Sequence, residues 1–155
     1  MEKYEENLAK AINELKIADH MIYITYPIVK DKRLLLKALS SIYESITSTI
    51  NAILQYDYIW KRIKLYANPK DNFNVFIEKC AKRYNLTEND IKQLIEFLEL
   101  AEAHKKSPME FLRRDKIIIM SDNLKTTSID SEKLKLYLNF GKKILENTRK
   151  VIKPP

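Results

Sequence analysis

Residues 31–67 carry an uninterrupted helical pattern and read DKRLLLKALSSIYESITSTINAILQYDYIWKRIKLYA. Apolar side chains recur here at alternating spacings of three and four, the period of an α-helix with one buried face. They are Leu35, Leu39, Ile42, Ile46, Ile53, Tyr56, Trp60, Ile63 and Ala67, and Thr49 takes the place in the pattern between Ile46 and Ile53. Asp31 is suited to cap the start of this helix. The stretch therefore predicts one long helix that runs without a break to Ala67.

Two further helices flank this one in the sequence. Periodic apolar residues predict a first helix over about residues 2–26. We expect Pro27 to end it, because the residue before a proline avoids helical backbone angles. Asn68 and Pro69 are a cap followed by a proline at the first helical position, and they predict a third helix over about residues 69–84.

The second half of the chain mixes helical and strand patterns. Thr87 and Asp90 have the cap-and-acid spacing that starts helices, and they predict a fourth helix ending near His104. Ser107 and Pro108 repeat this logic and predict a short helix after them. The β-branched run at 117–119 favours a small β-ribbon over about residues 116–129. The alternative is one longer helix through residue 122.

The last predicted helix contains the only glycine of the chain, Gly141, on its apolar face. Glycine inside a helix costs ~1 kcal/mol relative to alanine, so this position predicts a close helix crossing. Asp130 or Ser131 can cap the helix. Short connections favour antiparallel packing. The sequence therefore predicts an all-α, up-and-down bundle of about five main helices, in a single domain that fills residues 1–155.

Composition excludes several classes of function. One glycine cannot build the phosphate-binding loops of P-loop or Rossmann proteins, and one cysteine, Cys80, forms neither an internal disulfide nor a thiolate zinc site. Two histidines offer few metal ligands, so we expect no metal and no cofactor. The acidic, amphipathic start MEKYEENLAK is unlike a secretory signal, and no apolar run approaches a membrane span. We expect a cytoplasmic protein without membrane contact.

Charge is distributed unevenly along the chain. The net charge of +7 favours polyanionic partners. Acidic residues concentrate on the fourth helix and basic residues on the last, so the two ends of the molecule are expected to differ in sign. The candidate polyanion contacts on the last helix are Lys142, Lys143, Arg149 and Lys150. The alternative is that these cations only keep the helix surface soluble.

Three other clusters are candidates for binding. Residues 55–66 interleave aromatic and basic residues, the mixture that stacks nucleobases and holds phosphates. Tyr58 and Arg62 are the candidates there, with Tyr66, whereas Tyr56 and Trp60 fit packing in the core or against a second copy. His104 and Lys105, together with Arg113 and Arg114, could converge on one anion. A histidine at a helix C-terminus is, however, favoured by the helix dipole alone.

Small polar residues crowd the second helix. They are Ser40, Ser41, Ser45, Thr47, Ser48 and Thr49. Such a face permits close approach of a second copy, so a homodimer along this helix is one interpretation. A solvated polar face is the other.

The order of elements resembles the HEPN helical bundles of bacteria and archaea. Residues 11–20, AINELKIADH, correspond to the opening helix of that family and residues 42–54 to its alanine- and isoleucine-rich second helix. Catalytic members resemble RNases and carry an arginine four to six residues before a histidine. Neither His20 nor His104 has an arginine at that distance. The resemblance implies a non-catalytic member that forms homodimers and associates with RNA, nucleotides or a nucleotidyltransferase partner.

These patterns together favour a non-enzymatic binding module that contacts RNA or another polyanion, with no catalytic residue. The alternative function is a protein-interaction module, antitoxin-like or a complex subunit, without affinity for nucleic acid. A third possibility is an unusual RNase that uses His104 with Lys105 and Arg113.

Overall fold

Two long helices form an antiparallel hairpin at the centre of the molecule. The computed structural model describes residues 2–106, 109–113, 116–120 and 126–152. Helix α1 (Lys3–His20) passes through a π turn (Met21–Thr25) into α2 (Tyr26–Val29), and α3 (Arg33–Ile59) returns along α1. The Asn7 amide donates to Gln55, and the Ser45 hydroxyl donates to the carbonyl of Ala11. As the residue number rises along α1 from Asn7 to Ala11, the number of its partner in α3 falls from Gln55 to Ser45. The two helices are therefore antiparallel.

The remaining elements pack around this hairpin. They are α4 (Pro69–Val75), a π turn (Phe76–Cys80), a 3-10 turn (Ala81–Tyr84), α5 (Glu88–Lys106), β1 (Met109–Arg113), β2 (Lys116–Met120), β3 (Thr126–Ile129) and α6 (Ser131–Val151). The π turn at Phe76 packs on α3, and α6 packs on both α1 and α3. The predicted all-α bundle with a small β-ribbon is confirmed.

Pro27 does not end the first helix, so that prediction was wrong. The chain widens into the π turn just before the proline, and the N–H of Tyr26 donates to the carbonyl of Met21, five residues back. Helical backbone then continues through Pro27 to Val29. The π turn changes the helical pitch locally, and this lets the helix continue through Pro27 although proline has no N–H to donate. The helix ends at Lys30, whose φ of 55° is left-handed.

The predicted continuation of α3 to Ala67 was also wrong. The helix ends at Ile59, Lys61 adopts a left-handed φ of 58°, and the N–H of Arg62 donates to the carbonyl of Asp57. Ile63 turns back into the core, where it is buried. Its place in the apolar pattern fits a returning loop as well as a helix, so periodicity alone could not show the end of α3.

The predicted helix starts at Asn68, Thr87 and Asp130 are confirmed. The Asn68 side chain accepts from Lys70 N–H, and the Asp130 side chain accepts from Lys133 N–H. Thr87 and Asp90 exchange backbone-to-side-chain hydrogen bonds of 2.9 and 3.1 Å. Each bond satisfies an N–H that the first helical turn leaves without a partner.

The short helix predicted after Ser107 and Pro108 was wrong. Residues Met109–Arg113 instead form strand β1, which pairs antiparallel with β2 from Met109 opposite Met120 to Arg113 opposite Lys116. Strand β3 pairs on the other side of β2, which gives a three-stranded sheet. Ser107 and Pro108 lie outside the described residues. Pairing with the isoleucine-rich strand decided the conformation of residues 109–113 against the local start pattern.

Gly141 lies at a close helix crossing, as predicted. A Cβ atom at this position would lie 3.1 Å from Cδ1 of Leu15 and 3.7 Å from Cγ1 of Ile46. The absence of a side chain therefore lets α6 approach both long helices.

The small polar stripe on α3 faces the inside of the bundle, so neither interpretation of it was right. Ser45, Ser48 and Thr49 are buried, and the Ser45 and Thr49 hydroxyls donate to backbone carbonyls at 2.8 Å. The small side chains serve close packing within the chain. The sequence argument for a homodimer along this face therefore fails, although Ser40 at its edge is exposed.

A larger side chain at the crossing is expected to destabilise the bundle. Gly141→Val places two methyl groups beyond a Cβ that is already in tight contact, and overpacking of this kind costs about 1–3 kcal/mol. Urea denaturation of Gly141→Val and wild type measures the difference in the free energy of unfolding. Asn139→Val, on the exposed face of α6, is the control, expected within about 0.5 kcal/mol of wild type. Equal stabilities of the two variants would contradict the close crossing.

Candidate nucleic-acid interface

Three aromatic side chains are exposed where α3 ends and its loop begins. Trp60 is 60% exposed, and Tyr58 and Tyr66 are each more than half exposed. Core packing explains Tyr56, whose ring lies edge-on to Tyr4 at 5.2 Å. It does not explain Trp60, so the core interpretation of that residue was wrong within this chain. Exposure of the large apolar tryptophan ring to water is unfavourable in free energy. Tryptophan is also enriched at binding interfaces, so an exposed one indicates a binding surface.

Basic residues lie close to these rings in the sequence, and Tyr66 lines a cleft with them. Lys61, Arg62, Lys64 and Lys79 line one cleft of about 360 Å³, with Ile63, Tyr66 and Val75 as its other lining residues. The basic–aromatic surface is the set Tyr58, Trp60, Lys61, Arg62, Lys64, Tyr66 and Lys79. Within the described ranges, the three lysines of this set form no ion pair and no carboxylate lines the cleft. Their charge is available to an anionic ligand.

A buried carboxylate holds the cleft in place. Asp57, fully buried near the end of α3, accepts hydrogen bonds from Arg62 at 3.3 Å and from the Tyr84 hydroxyl at 3.0 Å. It also pairs with Arg83, from the 3-10 turn. Both arginine side chains remain about one-third exposed. One negative charge thus anchors two arginines that still reach solvent, and the local charge stays positive.

The loop after α3 is fixed at a second point. The Asn72 side chain accepts from the N–H of Tyr66 at 2.7 Å and donates to the carbonyl of the same residue at 2.8 Å. Together with the burial of Ile63, these bonds fix the backbone of the loop around Tyr66 before any ligand binds. Such a site loses little conformational entropy on binding.

The two other titratable groups at Asp57 are neutral near neutral pH. Burial, together with the nearby Asp57 carboxylate, raises the pKa of the Cys80 thiol to about 12. The same two causes, burial first, raise the pKa of Tyr84. A buried thiol that holds its proton is a weak nucleophile, so Cys80 serves packing.

The cations predicted on the last helix are largely paired. Lys142 lies 2.8 Å from Asp19, Lys143 lies 2.8 Å from Asp90, and Lys150 lies 3.7 Å from Glu146. Arg149 is exposed on the same helix. These pairs reduce the positive potential that α6 can offer, so the basic–aromatic surface is the stronger candidate. Polyanion binding by α6 stays a prediction.

From the sequence we expected the acidic and basic helices to lie at opposite ends of the molecule. That prediction was wrong, because α5 and α6 contact each other. Lys143 of α6 contacts Asp90 of α5, and the Tyr137 hydroxyl of α6 donates to Glu96 of α5. Burial raises the pKa of Asp90, but the hydrogen bonds from Lys143 and Thr87 outweigh it, so the pKa lies below its ordinary value. The opposite charges of α5 and α6 partly neutralise each other by direct contact.

The second predicted anion cluster is only partly described. His104 is half-buried and lines a cavity with Met21 and Leu36. The Lys105 ammonium lies 3.9 Å from the centre of the Tyr43 ring. Both therefore face the central hairpin. Arg113 is described only as the last residue of β1, and Arg114 lies outside the described residues, so convergence on one anion stays a prediction.

Two residues of this site, Lys79 and Asp57, were not predicted from the sequence. Lys79 joins the cleft only because the π turn packs on α3, and no local pattern connects it to residues 61–66. Asp57 did carry a pattern, because it follows Ile50 and Ile53 at helical spacing on an otherwise apolar face. A carboxylate in such a position requires cationic or hydrogen-bonding partners nearby.

Comparisons with protein-family models, curated proteins and solved structures produced no match to this chain. The resemblance to HEPN bundles therefore rests on the sequence pattern and stays a prediction. Across the described part of the chain, no cluster of three or more His, Cys, Asp or Glu side chains could hold a metal ion. None of the described helices combines the length and apolarity needed to span a bilayer.

Removal of the Asp57 charge is expected to destabilise the protein. In Asp57→Asn, two guanidinium groups lose their carboxylate, and the expected loss is about 2–4 kcal/mol, moderated because both arginines remain partly hydrated. Urea denaturation measures it. The matched control is Asp31→Asn, which removes the carboxylate of an exposed pair with Arg33 and should cost at most about 1 kcal/mol. A loss in Asp57→Asn no larger than in the control would refute the anchoring role.

Proposed function

We propose that this protein is a non-enzymatic module that binds single-stranded RNA through the basic–aromatic surface. The observation that carries the proposal is the exposure of Trp60, which directly precedes Lys61 in the chain, and Lys61 lines a cleft with three other cations. Aromatic rings stack on unpaired bases, and lysine and arginine hold the phosphates between them. The proposal agrees with the RNA association that the HEPN resemblance implies and does not depend on it.

The chemistry of the surface favours a single strand over a duplex. Tyr58, Trp60 and Tyr66 fall within nine consecutive residues and expose apolar ring surface that a duplex, with its bases stacked inside, cannot use. The cations alone would bind either form, since duplex and single strand both present phosphates. Stacking therefore supplies the preference, and charge supplies the salt-dependent part of the affinity.

Trp60 is the only tryptophan of the chain, so its fluorescence reports on this surface directly. We expect an oligouridine of about ten nucleotides to quench Trp60 emission, since stacked bases contact the ring. Trp60→Ala should weaken binding about 5- to 150-fold, the equivalent of about 1–3 kcal/mol for a stacked base. Fluorescence anisotropy of labelled RNA measures the affinity. A duplex of equal charge should produce little quenching.

Two variants of equal charge locate the binding surface. Lys64→Ala with Lys79→Ala removes two cations from the cleft, and Arg149→Ala with Lys150→Ala removes two from α6. We expect only the first to weaken binding and to reduce its salt dependence between about 50 and about 200 mM. Weaker binding by the second variant alone would move the interface to α6. Binding unaffected by Trp60→Ala, with no quenching, would overturn the stacking surface.

Binding of a protein partner is a second candidate function, favoured by one further observation. The apolar tip, defined as Tyr23 and Ile24 of the π turn and Ile28 and Val29 of α2, is exposed, and Ile28 is 80% exposed. Several large apolar side chains exposed within one short segment are typical of protein interfaces. A second copy of the chain or a different host protein would bury it.

A charge placed in the apolar tip should disrupt such a complex. Ile28→Asp is expected to lower the mass measured by light scattering and to remove a partner recovered with the tagged protein from its host, because burial of an unpaired carboxylate is costly. Leu136→Asp, at another exposed apolar residue, is the matched control. A wild-type protein that is monomeric and recovered alone would contradict this candidate.

A further inference from the structure

We infer that the cleft of the basic–aromatic surface recognises a terminal phosphomonoester, the phosphate at the end of an RNA strand. This inference rests on the proposed function and makes it more specific, because it names the part of the strand that the cleft holds. Three features support it: the size of the cleft, the fixed backbone of the loop that lines it and its charge.

The size of the cleft suits one nucleotide at a strand end. Its volume of about 360 Å³ lies near the lower limit for small-molecule sites. Ile63, buried, and Val75, half-buried, give the cleft an apolar part, whereas Tyr66 supplies a ring on which a base can stack.

The Arg62 guanidinium and the backbone of the loop that carries Lys61 and Lys64 are positioned before binding. Arg62 is held twice by Asp57, through its guanidinium at 3.3 Å and through its backbone N–H at 2.9 Å. Tyr66 is held by Asn72. Lys61 directly precedes Arg62 in the chain, and Lys64 lies between Arg62 and Tyr66. The chain therefore concentrates positive charge at one place without a ligand to organise it.

The charge of the cleft matches a terminal phosphate better than an internal one. Four cations, Lys61, Arg62, Lys64 and Lys79, line it, and among the residues that the structure describes only Arg62 of these four has a carboxylate partner. An internal phosphodiester carries one negative charge, whereas a phosphomonoester carries about −1.5 to −2 near neutral pH and has one more oxygen to accept hydrogen bonds. Concentrated charge in a small cleft therefore favours the end of a strand.

Anisotropy measurements with four oligouridines test the inference. The probes are labelled at the opposite end and carry a 5′-phosphate, a 5′-hydroxyl, a 3′-phosphate or a 3′-hydroxyl, and uridine monophosphate is a competitor. We expect one terminal phosphate to bind about tenfold more tightly than its hydroxyl counterpart, the equivalent of about 1.4 kcal/mol. The comparison of 5′ and 3′ probes shows which end the cleft takes.

Lys79→Ala should remove most of the preference for a terminal phosphate over a terminal hydroxyl. RNA should still quench Trp60 fluorescence in this variant, because the stacking ring is unchanged. Lys82→Ala is the matched control, since Lys82 is an exposed lysine on the neighbouring 3-10 turn that does not line the cleft. It should retain the preference. Both residues are exposed, so neither variant is expected to disturb folding.

The outcomes separate this inference from the proposed function. A phosphate preference that Lys79→Ala abolishes and Lys82→Ala retains supports strand-end recognition. Equal affinity for phosphate and hydroxyl ends, with Trp60 quenching intact, overturns the inference and leaves single-strand binding in place. No affinity for any strand overturns both, including the case in which uridine monophosphate alone binds.

Discussion

The carboxylate of Asp57 links the elements that make the candidate site. It lies fully buried near the end of α3, where Arg62 of the following loop and Arg83 and Tyr84 of the 3-10 turn all contact it. An unpartnered buried charge is too costly to keep, so these contacts must form together with the core. The loop and the turn are therefore held against α3 by the same group that fixes the arginines.

This arrangement explains how a bundle with few loops can present a shaped, charged surface. The helical hairpin of α1 and α3 is closely packed through small residues such as Ala11 and Ser45. The turn at Lys61 breaks α3 and projects Trp60 and Tyr66 outward while Ile63 returns to the core. The irregular segment thus supplies the chemistry, and the regular helices supply its support.

Charge pairing changes which basic residues are available to a ligand. On α6, Lys142 and Lys143 face Asp19 and Asp90 on neighbouring helices, so their charge contributes to packing of the bundle. In the cleft, Lys64 and Lys79 have no such carboxylate among the described residues. Counts of basic residues along the sequence cannot separate the two situations, because the partners are distant in sequence.

The sequence by itself determined the helical bundle, most helix starts and the close crossing at Gly141, because caps and helical periodicity depend on neighbours within a few residues. It also marked residues 55–66 as basic and aromatic. Only the tertiary structure decided that α3 ends at Ile59, that residues 109–113 form a strand, that Trp60 is exposed and that Lys79 joins the cleft. Each of these depends on contacts between residues far apart in the chain, where local preference is weaker than packing, strand pairing and the requirement to neutralise a buried charge.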